Sequence, residues 1–258
     1  MTRGLAFFSL LIAPGVLGAQ SLAQRVTEAD GLVQVIYPSR PSACGDGEHF
    51  IGHVLGRSTF YSGDATYSGH GSWSTYPCVH GPARVVATIV DREVTRLRAY
   101  VGPVPASRSE SRVITASAAD AAAWLGGLAT HGTARAASQA ILPLVLADAP
   151  DPWPLLLRIA RDDDRPREVR RAATTWLASG VTDHLGLADA RDDTDDDELR
   201  AQAVFALSQR RGESVDALID VVRTSPHASA RRAAIFWLGQ TGDRRAVDLY
   251  EQLLARRP

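Results

Sequence analysis

Five residues in the N-terminal third carry side chains able to cross-link the chain or hold a metal: Cys44, His49, His53, Cys78 and His80. Cys44 and Cys78 are the only cysteines. In an oxidising compartment two such thiols pair, closing a loop of 78 − 44 = 34 positions and stabilising the fold by roughly 3–4 kcal/mol in the chain-entropy model. The alternative chemistry is zinc, which accepts mixed Cys/His ligands. The spacing matches no common zinc module, and neither cysteine belongs to a CxxC pair, so pairing is the leading reading and free thiols the third.

Other chemistry is thin. All 28 basic residues are arginine. A chain without lysine has no Walker A lysine, no Schiff-base lysine and no Ser–Lys dyad. Ser72 follows Gly69-His70-Gly71, but a nucleophile elbow needs Gly-x-Ser-x-Gly at a strand-to-helix turn. His131, His184 and His227 stand singly near expected helix ends. Counted from Asp193, the run 192–198 offers carboxylates at calcium-loop positions 1, 3 and 5. Position 6 is then Glu198 and position 12 is Val204, where an EF-hand needs glycine and glutamate. Trp73, Tyr61, Tyr67 and Tyr76 are compatible with a carbohydrate surface but do not specify one. No catalytic residue and no cofactor is expected, and the formal charge of −1 gives no basic stripe for nucleic acid.

The elements that must carry these residues fall into segments of different grammar. Arg3 precedes the apolar run Leu5–Ala13, broken by Pro14 and Gly15, and small residues permit cleavage after Ala19 or Ala23. That pattern is a secretory signal over residues 1–23, too short to span a membrane, and it predicts export to a periplasm or beyond. Residues 25–105 read as a small β-rich domain: 32–37 and 49–55 are strand-like, 58–81 is a long loop or weak strands, and 84–90 and 94–101 form a hairpin about Asp91-Arg92. In its second arm Thr95, Leu97, Ala99 and Val101 face one way and Arg96 and Arg98 the other.

Beyond residue 115 the chain is helical and alanine-rich, with helices expected at 118–129 and 134–147 as a candidate diverged first unit (116–150). From 151 to 258 it repeats. Glu168–Leu177, Glu198–Leu207 and Ser229–Leu238 align with arginines at 170, 200 and 231, spaced 200 − 170 = 30 and 231 − 200 = 31. Alanines at 173, 203 and 234 and leucines at 177, 207 and 238 keep that register. Between them 153–161, 215–223 and 246–254 form a second series, whose expected member near 181–190 is short and contains glycine. The columns predict a buried seam of Val169, Ala173, Trp176, Leu177, Leu199, Ala203, Leu207, Ala234, Trp237 and Leu238, with Arg210 beyond it. Arg170, Arg200 and Arg231 are expected to bond aspartates of adjacent turns as a ladder.

This pattern of acidic turn, apolar-Arg, Ala, then Trp/Phe-Leu-Gly, clearest in Arg231–Asp243, resembles HEAT repeats in their short bacterial form, called PBS-lyase HEAT-like. The resemblance implies an α-solenoid and a scaffold or protein-binding surface. The fold expected is mainly α: a C-terminal solenoid of HEAT-like repeats preceded by a small β-rich domain. The function expected is that of an exported, non-enzymatic module binding an unidentified protein partner, with no membrane span. The competing reading is a metal-binding or enzymatic N-terminal domain built on Cys44, His49, His53, Cys78 and His80.

Overall fold

The computed structural model describes residues 20–55, 57–62, 65–69, 77–104, 111–187, 195–209 and 214–255. It opens with a short helix absent from the sequence reading, α1 (Leu22–Thr27). Ser21 Oγ accepts from the Gln24 N–H at 3.3 Å and Gln24 Oε1 accepts from the Ser21 N–H at 3.0 Å. This reciprocal cap satisfies two otherwise orphaned donors, and it aims Leu22 and Val26 into the core.

The strands form two four-stranded sheets. The first has order β7-β6-β1-β8, built from β1 (Gly31–Tyr37), β6 (Ala83–Val90), β7 (Glu93–Val101) and β8 (Arg112–Thr115). Only β1 and β8 run parallel. The hairpin turns at the expected Asp91-Arg92, both with positive φ (51° and 63°), as a two-residue turn matched to strand twist requires. A register shift at Thr88/Ile89 places Val94 inward, ahead of Leu97, Ala99 and Val101, while Thr95 is half-buried. The second sheet has order β2-β3-β4-β5: β2 (Cys44–Gly45), β3 (Phe50–Val54), β4 (Arg57–Ser62) and β5 (Ala65–Gly69). Weak strands, not a loop, therefore occupy much of 58–69.

Alternating residues Val33, Val35, Val85, Ala87, Leu97 and Ala99 are buried, and that face of the first sheet packs on α2 (Ala118–His131) and α3 (Ala134–Leu146). Three polar ties fix the layers. Tyr37 Oη donates to the Pro143 carbonyl at 2.8 Å. Arg40 Nε donates to the Val145 carbonyl at 2.7 Å. The Leu97 N–H of edge strand β7 donates to Gln139 Oε1 at 2.9 Å. The segments 25–105, 116–150 and 151–258 differ in secondary structure, yet a single core cluster runs through them from Leu22 to Leu253.

The C-terminal region is helical and repeat-built. Helix α4 (Trp153–Arg161) forms a hairpin with α5 (Arg167–His184), and α7 (Ser214–Thr224) with α8 (Ala228–Thr241). Helices α6 (Asp195–Ser208) and α9 (Arg244–Ala255) complete it. The stacking does not follow chain order. Helix α8 lies between α5 and α6, and α9 packs on α5 and α4. Small residues allow this: a Cβ on Gly239 would stand 2.7 Å from Ala178 Cβ, so α8 and α5 meet at closer range than larger side chains permit.

Candidate functional site

Cys44 and Cys78 form a disulfide with Cα atoms 4.9 Å apart. The neighbouring strand accommodates it through Gly52, where a Cβ would stand 2.6 Å from Cys78 Sγ. With both thiols so bonded, the two cysteines are not thiolate ligands, which removes the softest donors from the metal reading. The described histidines bond to different groups. His49 Nδ1 lies 3.7 Å from Asp46 Oδ2 and 4.0 Å from Glu48 Oε2, on a half-exposed side chain. His80 Nδ1 is 3.0 Å from the Ala43 carbonyl, and the His53 side chain lies outside the described residues. Among the described residues no group of three or more His, Cys, Asp or Glu is placed to hold a metal ion.

The residue organising this loop is one the sequence reading passed over. Asp46 Oδ1 accepts from the N–H groups of Glu48, His49 and Phe50 at 2.8, 2.7 and 2.8 Å. Burial would raise its pKa, but the three donors and His49 outweigh that and hold the carboxyl below its ordinary value. The signal available was Gly-Asp-Gly at 45–47, read only as a turn; an Asx nest is its physical content.

His131 and His184 are the last residues of α2 and α5, and His227 is the N-cap of α8 without a side-chain cap bond. Ser72, Trp73, Tyr76, Asp193 and Arg210 lie outside the described residues, as do the side chains of Tyr61 and Tyr67. So do residues 1–19, which hold most of the expected signal.

The expected arginine ladder takes a local form. Arg170 Nη1 donates to Asp163 Oδ1 at 2.9 Å, across the turn before its own helix. Arg231 Nη1 donates to the Ser225 carbonyl at 2.9 Å, so its acceptor is main chain rather than aspartate. Arg200 also has an interaction partner. Two further arginines, outside the columns, tie distant repeats. Arg161 donates to Asp248 at 2.8 Å and Glu251 at 2.6 Å, linking α4 to α9. Its hydrogen bonds to Glu251 and Asp248 raise its pKa, and the bond it donates to Glu251 holds that carboxyl below the usual range. Arg245 joins α9 to α7 through Asp216 at 2.8 Å. Beside Arg161 a groove of about 510 Å³ runs between α4 and α9, floored by Pro154 and Leu157.

Of the seam residues, Val169, Ala173, Leu177, Ala234 and Leu238 are fully buried, and Trp176 is buried at 7% exposure. Trp237 is half-buried, with ring centroids 5.0 Å from Phe205 and 4.9 Å from Phe236. The second window departs from the pattern. Leu199 is 61% exposed and Ala203 is exposed, while Val204 is buried and Leu207 half-buried. The reason is the packing order: α8 takes the place beside α5 that the alignment assigns to α6. Helix α6 then turns Val204 and Leu207 toward the array, leaving the Leu199–Ala203 side outward.

This is the class of molecule the geometry defines: a layer of helical repeats cross-linked by arginine–carboxylate ties, sharing one core with a disulfide-bearing β-rich region. A family model described as HEAT repeats matches residues 185–258, which takes in α6 to α9. No curated protein and no solved structure matches the chain.

Proposed function

We propose that this protein is an exported, non-enzymatic interaction module whose HEAT-like helices bind a protein partner. The observation that carries this is the match to HEAT repeats over residues 185–258, in a region where stacked helices present extended surface. Export is supported by the apolar leader read in residues 1–23 and by the Cys44–Cys78 disulfide.

The structure also bears on where a leader would be cut. Cleavage after Ala23 would remove Ser21 and Leu22, and with them the cap and one buried anchor of α1. Cleavage after Ala19 keeps both. The mature chain is therefore expected to begin at Gln20, and N-terminal sequencing of protein from the periplasm or medium checks this. Partner binding is tested by cross-linking the mature chain in its native envelope fraction and mapping the linked residues. Cross-links to one protein concentrated in 185–258 support the reading. Stoichiometric zinc, reduced cysteines and no such cross-links would replace it with the metal-binding alternative.

A further inference from the structure

Helix α1 is pinned to the core along its length, for Leu22, Val26 and the Ala29 just beyond it are buried. Gln20 before the helix and Glu28 at its end are exposed, yet their side chains meet. Gln20 Nε2 donates to Glu28 Oε1 at 3.2 Å. The Glu28 main chain is fixed as well, its N–H donating to the Gln24 carbonyl at 2.9 Å. The packed helix thus holds a carboxylate against the carboxamide nitrogen of Gln20.

Leader removal changes what that carboxamide can do. Cleavage after Ala19 or after Ala23 puts a glutamine first, Gln20 or Gln24, and the cap and anchor of α1 select Gln20. An N-terminal glutamine holds a nucleophile and an electrophile in one residue, its free α-amine and its side-chain Cδ. Attack within the residue needs no second molecule to be brought up, which removes most of the entropic cost of the encounter. What such a closure still needs is a group to move a proton between the two nitrogens.

We propose that Gln20 is a modification site: once the leader is removed it closes to an N-terminal pyroglutamate, with the Glu28 carboxylate carrying the proton. The α-nitrogen lone pair attacks Cδ and forms the C–N bond of a lactam ring, and the Cδ–Nε2 bond breaks. One proton passes from the α-nitrogen to Nε2, which leaves as ammonia. No oxidant, reductant or other co-reactant is consumed. In the tetrahedral intermediate both nitrogens are bonded to Cδ, so a carboxylate with one oxygen against Nε2 can reach the α-nitrogen with the other. The ring removes the terminal charge, as acetylation would, and leaves no free amine from which an exopeptidase can trim toward Ser21 and Leu22. The proposal rests on the export reading with cleavage after Ala19.

The test begins with the chain exported by its own leader, its N-terminal peptide read by mass because the ring leaves no amine for stepwise sequencing. The expected peptide begins at residue 20 and is lighter by one ammonia. For the rate, residues 20–258 are released from a fusion whose protease leaves Gln20 first. Ammonia loss is then followed in the folded chain, in the same chain unfolded by guanidinium chloride, and in Glu28→Gln. The folded parent should close several-fold faster than either. Glu28 is exposed, so Glu28→Gln should melt with the parent, and Glu28→Ala replaces it if it does not. An exported chain that begins with Gln20 and keeps it open on incubation overturns the proposal and leaves export standing. Equal rates in the folded parent and the Glu28 variant overturn it as well, since the fold would then contribute nothing. A chain that begins at Gln24, or that keeps its leader, overturns it together with the cleavage reading beneath it.

Discussion

At the scale of single residues the strongest local device is Asp46. One carboxylate oxygen receives three backbone N–H groups within a five-residue loop, and charge-assisted bonds of this kind are the stronger ones. Asp46→Ala should cost about 1–2 kcal/mol at neutral pH, a figure held down by the solvent that reaches the group. Its folded pKa is depressed, so its contribution is complete above the ordinary value of 3.8 and is lost as pH falls below that through the folded value. Denaturant melts of parent and variant should therefore differ at pH 7 and draw together as pH falls below 3.8. A gap that persists unchanged in acid would mean the loop is held by something other than the carboxylate. The residue was visible in the sequence only as turn punctuation, because one aspartate bonding three amides leaves no periodic trace.

At the scale of elements, period did most of the work. The helices at 153–161, 215–223 and 246–254 fall at or within a residue or two of α4, α7 and α9; Val169, Ala173 and Leu177 in α5 and Ala234 and Leu238 in α8 are buried, while Trp237 is half-buried. The columns left the neighbour relation open. Alignment of like windows makes Leu199 equivalent to Val169, yet one is 61% exposed and the other fully buried, because α8 rather than α6 contacts α5. Sequence columns report which face is apolar; they do not report which helix covers it. Helix α1 was missed for a related reason, being too short for a period and straddling the expected end of the leader at residue 23. The contrast is measurable. Leu238→Asp places an unpaired carboxylate in the α5–α8 seam and should cost more than about 3 kcal/mol. Leu199→Asp should stay within about 0.5 kcal/mol. Similar melting temperatures for the two would show that α6, not α8, lies in the seam.

At the scale of the whole molecule the question is whether the β-rich and helical parts unfold together. The disulfide closes a loop confined to 44–78; within it lies the second sheet, which also leans on the first where the Gly47 N–H donates to the Val101 carbonyl at 2.9 Å. The first sheet has different moorings. Tyr37 and Arg40 bond carbonyls of α3, and Arg40 reaches Asp151 at 3.0 Å just before α4. The core passes from strands to repeats without interruption. Reduction should therefore act in two unequal ways. Amides of β2 and β3 should lose protection against hydrogen exchange, since the entropy of a 34-residue separation is restored to the unfolded loop, worth roughly 3–4 kcal/mol. Amides of β1, β6 and β7 should stay protected, and in denaturant they should open with the same free energy as those of α5 and α8. The Tyr37→Phe variant sharpens the test. It leaves the buried Pro143 carbonyl without its phenolic donor, costing about 1–2 kcal/mol. If the parts are one cooperative unit, that loss appears equally in the opening energies of β1 and of α5, although neither Tyr37 nor Pro143 belongs to α5. If it appears in β1 alone, strands and repeats unfold independently, and the division near residue 105 that composition suggests is a thermodynamic boundary after all.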